Sequence, residues 1–352
     1  MDKKLDYIIV GQGLAGSILA YKLLQKGKSV VIIDESKGET SSKKASGLIN
    51  PITGRRFVKS WKIDELLPFA LQFYKSIEET FNTDLIQETK VHRILQSVEQ
   101  QNDWAAKTKD ERYVHYLKNK DVIFHSKTLI ENPFGCIEIA PVLKINTPLL
   151  IDIFSSYFEK NNLLQRVKFD YKALKIKENK VVYKTFEAEK IIFCEGFGAA
   201  KNPWFGNLAY SFCKGEVLWF EAEELPEDFI IGGSTNITPL GNHQFSIGST
   251  YSWDDVSMNI TELKKQELIE KLNAIVKCNY TIIKQGAGIR PTIKDRRPII
   301  GAHQTHKNLY IFNGMGTKGL SLAPYFAEEF IEFLEENGSL NSEVKLSRFS
   351  KK

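Results

Sequence analysis

The stretch YIIVGQGLAGSILAYKLLQKGKSVVIIDES, residues 7–36, decides the fold. Ile8, Ile9 and Val10 form a β-branched run that enters Gly11, Gly13 and Gly16, and an alanine- and leucine-rich helical pattern follows. A second apolar strand ends at Asp34, eighteen residues after Gly16. In this register, strand, glycine turn, helix and strand make a mononucleotide-binding unit, and each part has a physical reason. Gly11 allows the tight turn, Gly13 lets the backbone approach a pyrophosphate, and Gly16 lets the helix lie close to the sheet. The helix N-terminus, with Ala15 in its first turn, offers N–H groups and a partial positive charge to phosphate. Asp34 accepts hydrogen bonds from a ribose hydroxyl, and its charge repels the extra phosphate of NADP. Gly11, Gly13, Ala15, Gly16 and Asp34 are therefore the candidate dinucleotide-binding positions.

At 352 residues the chain has room for about two domains. Its net charge of +5 is dispersed, apart from the tail KLSRFSKK, so a nucleic-acid partner is compatible with the chain but not demanded by it. Cys136, Cys194, Cys213 and Cys278 are widely spaced, without a CxxC pair, which fits reduced thiols in a cytoplasm. No stretch has the length and apolarity of a membrane span. The expected location is the cytoplasm; the sequence does not speak to oligomeric state.

After Asp34 comes SKGETSSKKASGLINPITGRRFVKSW, which reads as a long irregular loop of functional type. Its residues Arg55, Arg56, Lys59 and Lys62 are a basic cluster, either a solvated or phosphate-neutralising loop or a seat for a polyanion. Residues 63–82 predict an amphipathic helix with Pro68 in its first turns, and 147–162 a second helix. Between them the pattern is strand-like and broken, at VHRIL, YVHYL, VIFHS and FGCIEIAPVLKI. Residues 213–253 alternate with period two, and Thr261 is placed to cap a helix over 260–276. The sheet-like blocks interrupt the α/β blocks. The expected architecture is α/β: a discontinuous Rossmann-like nucleotide domain (1–84, 143–212 and 286–352) with an inserted antiparallel-sheet substrate domain (85–142 and 213–285).

Three further segments carry chemistry. EKIIFCEGFGA runs a strand into Gly196 and Gly198, where a backbone passes close to a cofactor or simply turns. In QGAGIRPTIKDRRPIIG, Arg290 precedes Pro291 and is held on a stiff extended segment. A guanidinium fixed in this way grips a carboxylate through two parallel bonds, or pairs structurally with an acid such as Asp295. In FNGMGTKGLSLAPYF, Gly314, Gly316 and Gly319 flank Thr317 and Lys318 at the start of a helix. That is a place to stabilise negative charge on a bound ring, or a glycine-rich cap with a solvated lysine.

The N-terminal unit, CEGFGA, KGEVLWF, GIRPTIKDRRPIIG and GMGTKGLSLAP occur in the order that resembles the D-amino-acid oxidase-like flavoprotein superfamily. That superfamily includes glycine and sarcosine oxidases, D-amino-acid dehydrogenase and the FAD half of the tRNA methylaminomethyl-2-thiouridine enzyme. The resemblance implies FAD and oxidation of the C–N bond of an amino acid or N-substituted glycine, with hydride passing to flavin N5 and the imine hydrolysing. It implies Arg290 as the carboxylate anchor and Gly11, Gly13, Gly16 and Asp34 as the ADP site. It implies Val167 beside adenine, Ala45 and Ser46 beside the pyrophosphate and flavin, and Gly196 at the end of the second nucleotide-domain strand. Gly314, Gly316, Thr317 and Lys318 match the turn under the flavin's pyrimidine edge. Pro291 and Thr292 stand where sarcosine-oxidase-like members carry the flavin-linking cysteine, so FAD is expected to be non-covalent. Asn236 and Ile237 replace the tyrosine of glycine-oxidase-like members, which leaves Tyr251 or Trp253 to line a substrate pocket. GMGTKG and ASGLINPITGRRF are closer to the tRNA enzyme. A tRNA-modifying oxidoreductase acting on a carboxymethylaminomethyl-uridine and an FAD-dependent 2-hydroxy-acid dehydrogenase are accordingly the alternatives to a small-molecule amine oxidoreductase.

Overall fold

The computed structural model describes residues 3–35, 40–121, 129–336 and 338–349. The chain forms two compact units. One comprises Met1–Lys43, Thr147–Cys213 and Ile289–Lys352; the other comprises Lys44–Asn146 and Lys214–Gly288.

In the first unit, strand Lys3–Val10 buries Leu5, Tyr7, Ile8, Ile9 and Val10, so both its faces are covered, as a central parallel strand requires. It runs parallel between Val30–Ile33 and Phe186–Phe193. Leu164–Gln165 continues the parallel sheet beyond Val30–Ile33, and Leu309–Asn313 continues it beyond the C-terminal half of Phe186–Phe193. Antiparallel strands Leu174–Ile176, Val181–Tyr183 and Ile299–Ala302 complete eight. Helix Leu14–Gln25 packs against helices Thr147–Lys160 and Gly319–Glu335. Lys22 reaches Glu328 at 2.5 Å across the second of these contacts.

The second unit holds a nine-stranded sheet. Along Cys213–Glu221 and Gln244–Gly248 the alternation sends Leu218, Phe220, Phe245 and Ile247 into one apolar core with Leu268 and Leu272 of helix Glu262–Asn273. Thr261 caps that helix, its hydroxyl accepting from the Lys264 N–H at 3.3 Å. One pair departs from the antiparallel pattern: Ile230–Gly232 runs parallel to Ile86–Ile94. These strands come from distant parts of the chain, so no hairpin dictates their direction.

Several expectations are corrected. The first boundary between units falls after Lys43, not at residue 84. Leu48–Ile49 pairs with Leu143–Lys144, and the Ile145 N–H donates to the Gly47 carbonyl, which ties this stretch into the second sheet. The 63–82 helix is present as Ile63–Phe81 but belongs to the second unit, and Tyr116 Oη donates to Asp64 there. The later boundaries shift by one to four residues, to 146/147, 213/214 and 288/289. The loop after Asp34 is more ordered than its composition suggests, with a helical turn Ser41–Lys44 and short strands Ile52–Thr53 and Val58–Lys59. Phe57, in the turn that joins these two strands, is fully buried, which anchors the hairpin. YVHYL is turn, not strand, until Leu117, because the Tyr113 and Tyr116 N–H groups close onto Asp110 and Tyr113. VIFHS lies outside the described residues.

Gly47 has φ +79°, and a Cβ there would stand 2.1 Å from the Ile145 oxygen. Gly47→Ala should therefore lower unfolding free energy by about 2–4 kcal/mol, measured by urea denaturation.

Candidate active site

The glycines of the first turn permit contacts that any side chain would block. A Cβ on Gly16 would sit 1.9 Å from the Gly11 oxygen, and one on Gly11, at φ +101°, would sit 2.6 Å from the Cys194 oxygen. The helix is thereby pressed onto its own entry turn, and that turn onto the end of strand Phe186–Phe193, one residue before Glu195 and Gly196. Gly13 is the helix N-cap and has no capping side chain; the first turn carries no acid. Ala15 lies in that turn. The Ser42 hydroxyl accepts from the Leu14 N–H at 3.1 Å. Asp34 Oδ2 accepts from the Gln12 N–H at 2.8 Å, so the carboxylate sits directly over the turn. The Asp34 N–H donates to the Gln165 carbonyl, and so does that of Val167, which is 41% exposed beside it.

The C-terminal glycine turn joins the same place. A Cβ on Gly319 would meet Leu14 Cδ2 at 3.0 Å, so the two helix N-termini lie together. Gly314 and Gly316 have φ of +78° and +56°. Asn313 bridges the turn to the other strand end: its Nδ2 donates to the Gly196 carbonyl at 2.9 Å, and its Oδ1 accepts from the Gly314 N–H at 2.8 Å. Thr317 is exposed at the apex, and Lys318 is the helix N-cap. Burial, then Arg297 and Arg296, hold the Lys318 ammonium below the ordinary lysine range.

Arg290 ends strand Thr281–Arg290. The Ser41 hydroxyl donates to the Ile289 carbonyl at 2.7 Å and accepts from the Ile289 N–H at 3.0 Å, bracketing the residue before it. Arg290 Nη1 lies 3.5 Å from the Cys213 carbonyl and 3.4 Å from Cys213 Sγ. Immediately afterwards, the Gly316 N–H donates to the Pro291 carbonyl at 3.3 Å. Asp295, the acid offered by the sequence as an ion-pair partner, is engaged by Arg348 at 2.8 Å. Arg348 belongs to the basic tail, whose last three residues lie outside the described range.

One connected set of contacts in the first unit thus gathers Gly11, Gly13, Ala15, Gly16, Asp34, Val167, Gly196, Arg290, Gly314, Gly316, Thr317 and Lys318. Ala45, Ser46 and Tyr251 belong to the second unit; all three are exposed there, Tyr251 to 58%. Of the basic cluster, Lys59 pairs with Asp64 and Lys62 with Glu65, each at 2.5 Å, which leaves Arg55 and Arg56 as its exposed arginines.

The family model for FAD-dependent oxidoreductases of the DAO type matches residues 6–333. The chain belongs to the DAO family. It is 21% identical to the glycine oxidase of Pseudomonas putida, over 93% of each chain. The crystal structure of glycine oxidase from Geobacillus kaustophilus superposes with a TM-score of 0.83 at 18% identity, covering 99% of this chain and 100% of that one. That of iminodiacetate oxidase from Chelativorans sp. BNC1 gives 0.78 at 18% identity, over 98% of each. This DAO-family protein is an FAD-dependent oxidoreductase with the Rossmann-like domain and inserted sheet domain expected of its sequence. The cradle suits FAD: the two blocked Cβ positions keep a backbone surface open, and Asp34 stands at the ribose end of a mononucleotide fold.

Four contributors were missed in the sequence. Ser41, Cys213 and Asn313 act on partners up to 248 residues away, and no local pattern announces that. Glu195 carries a local signal, an acid directly before Gly196. Burial pushes its carboxyl above the ordinary range, although it accepts from Tyr171 Oη at 2.5 Å and Asn202 Nδ2 at 2.7 Å.

Lys318 supplies a prediction with a definite sign. Its folded-state value lies below the ordinary lysine value of 10.5, so between the two the unfolded chain binds the extra proton and stability rises with pH. Lys318→Met should lack that rise and should melt higher than the wild type near neutral pH. Thermal melts of both FAD-free proteins from pH 7 to about 10.5 check this, and a constant difference in melting temperature across the range contradicts it.

Proposed function

We propose that this enzyme oxidises the C–N bond of an amino acid or N-substituted glycine in the cytoplasm. The observation that carries the reading is the setting of Arg290. Its guanidinium lies against Cys213, on a strand end bracketed by Ser41 and continued into the glycine turn. A guanidinium oriented by the main chain binds a carboxylate with little further ordering, through two parallel charge-assisted bonds. FAD supplies the two-electron acceptor for hydrogen leaving the substrate carbon. Gly11, Gly13, Ala15 and Gly16 hold its pyrophosphate, Asp34 a ribose hydroxyl, and Val167 the adenine through its backbone. Gly196, Gly314, Gly316 and Thr317 would leave room for its ring. Lys318 and the helix N-terminus it caps offset negative charge gained by that ring. Glycine and iminodiacetate, for which the structurally similar glycine oxidase and iminodiacetate oxidase are named, are compounds of this class.

The first experiment is anaerobic addition of glycine, sarcosine, proline, D-alanine, 2-hydroxyglutarate and modified tRNA to the yellow protein, following the flavin band. Bleaching by an amine that carries a carboxylate supports the reading. Bleaching by the hydroxy acid or the tRNA alone selects one of the alternatives.

Arg290→Ala should raise KM for the reactive amine by about 10–150-fold, the loss of about 1.5–3 kcal/mol of charged hydrogen bonding, with FAD content unchanged. Loss of FAD or of the fold in that variant would make Arg290 structural. Asp34→Ala should weaken FAD, measured by fluorescence titration of the apoprotein, and leave the substrate preference of the remaining holoenzyme as it was.

A further inference from the structure

Strand Ile86–Ile94 sends His92 and Arg93 to opposite faces of the second sheet. His92 stands beside Ile231 and Glu138, whereas Arg93 stands beside Gly232 and Ile137. Two residues earlier on the face of Arg93, Val91 lies between Ile230 and Ile139. The sheet around this arginine is therefore apolar, and Gly232 leaves space for its stem: a Cβ there would already stand 3.6 Å from Arg93 Cδ. The hairpin of strands Ile52–Thr53 and Val58–Lys59 supplies the remaining contacts. Arg93 Nη2 donates to the Gly54 carbonyl at 3.3 Å, and Cζ lies 5.4 Å from the centre of the buried Phe57 ring. Arg93 is half-buried, and its Nε is sealed from solvent with no hydrogen-bond partner among the described residues. Burial holds the guanidinium below the ordinary arginine range, with no charged neighbour countering it. A ring face orients a guanidinium, and one carbonyl fills one of its five N–H donors; neither cancels its charge. A cation kept from water without a counter-ion raises the energy of the fold, and an anion bound there would lower it again. Arg55 and Arg56 follow Gly54 directly; both are exposed, and neither has an ion pair among the described residues. No described atom lies within 4 Å of the place a Cβ on Gly54 would take, so the turn is open on that side. Lys59 and Lys62 are paired with Asp64 and Glu65, so the uncompensated charge does not continue along the chain as a stripe. Three guanidinium groups without an acid suit a doubly charged oxyanion. Their short extent suits a small molecule better than a nucleic-acid backbone, which spreads its charge over many contacts.

We propose that Arg93, with Arg55 and Arg56 beside it, binds the phosphate group of a small phosphorylated molecule. The site is independent of the C–N oxidation reading: every group in it belongs to the second unit, whereas Arg290 and the nucleotide cradle belong to the first.

The test titrates the FAD-loaded protein with inorganic phosphate and with O-phosphoethanolamine and follows phosphorus NMR. Line broadening reports binding of the probe, and the pyrophosphate signals of FAD report the cofactor in the same spectrum. The expected result is saturable broadening of both probes, with the FAD signals unmoved and no relief by an equal concentration of acetate. Arg93→Met should raise the apparent Kd of both probes by about 10-fold or more, and the exposed pair Arg55→Ala and Arg56→Ala together by about 2–5-fold. Without phosphate, Arg93→Met should melt at a higher temperature than the wild type, because it removes an uncompensated charge. Phosphate should then raise the melting temperature of the wild type and not that of Arg93→Met. No saturable broadening, or broadening that survives Arg93→Met unchanged, overturns the proposal. An Arg93→Met protein that melts lower than the wild type in the absence of phosphate makes the guanidinium a structural group and overturns it too. Displacement of the FAD signals would put the phosphate in the cofactor cradle, and a short RNA duplex that competes at a lower concentration than O-phosphoethanolamine would make the partner a nucleic acid; either result refutes the small-molecule site. Because binding is read without turnover, a protein that binds phosphate through Arg93 while no amine bleaches its flavin would refute the C–N oxidation reading and leave this site in place.

Discussion

Among the described glycines, the tightest approach is that of helix Leu14–Gln25, at Gly16, to the turn that feeds it. With 1.9 Å between the Gly11 oxygen and the place a Cβ on Gly16 would take, even an alanine would lever the helix away. The rest of the cradle is built from this contact. It fixes where the helix begins, and so where its N–H groups point. It sets Gln12 over Asp34 and brings Leu14 within reach of Gly319, which fixes the start of the C-terminal helix. The second close approach, Gly11 against Cys194, adds the neighbouring strand end. Two absent side chains thus hold three strand ends and two helix starts in one place. Hydrogen bonds such as those of Asn313 then lock an arrangement that sterics have already selected.

Charge is distributed by a different logic. Many lysines lie opposite acids: Lys22 at Glu328, Lys59 at Asp64, Lys62 at Glu65. Of these the pairs at Asp64 and Glu65 have exposed acids and contribute little each, orienting elements that packing has already placed. Lys318 is of another kind, half-buried with Arg297 and Arg296 as its strongest charged neighbours, and it bears a depressed affinity for its proton. Lys44 and Lys284 share an indole.

Most of the first unit was legible because its signals are local. A glycine spacing, a β-branched run and an acid at the end of the next strand are all written within residues 7–34, and helices such as Ile63–Phe81 show their apolar period directly. Helix Val98–Lys107 was also written locally and went unread. Ser97 accepts from the Gln100 N–H, and Gln100 Oε1 accepts from the Gln96 N–H, a variant of the serine–glutamine capping pattern. What could not be read depends on distant partners. The assignment of residues 44–84 draws on a two-residue strand pairing with Leu143–Lys144 and on the Tyr116 bond to Asp64, neither of which leaves a periodic trace. The setting of Arg290 was half legible: Pro291 announced its stiffness, whereas Ser41 and Cys213 are joined to it only by the folded chain.

The chain passes from the first unit into the second after Lys43 and after Cys213, and returns at Thr147 and Ile289. Three of these four ends meet on one short stretch of the first unit, where Ser41 is bonded to Ile289 and Cys213 lies against Arg290. The inserted segments therefore hang from a stitched seam. A different insertion whose ends meet the same seam would leave the nucleotide cradle undisturbed, because the bonds that close the seam belong to the recipient and not to the graft. The crossing points of the chain are thus fixed by bonds internal to the first unit, whatever the inserted segments carry.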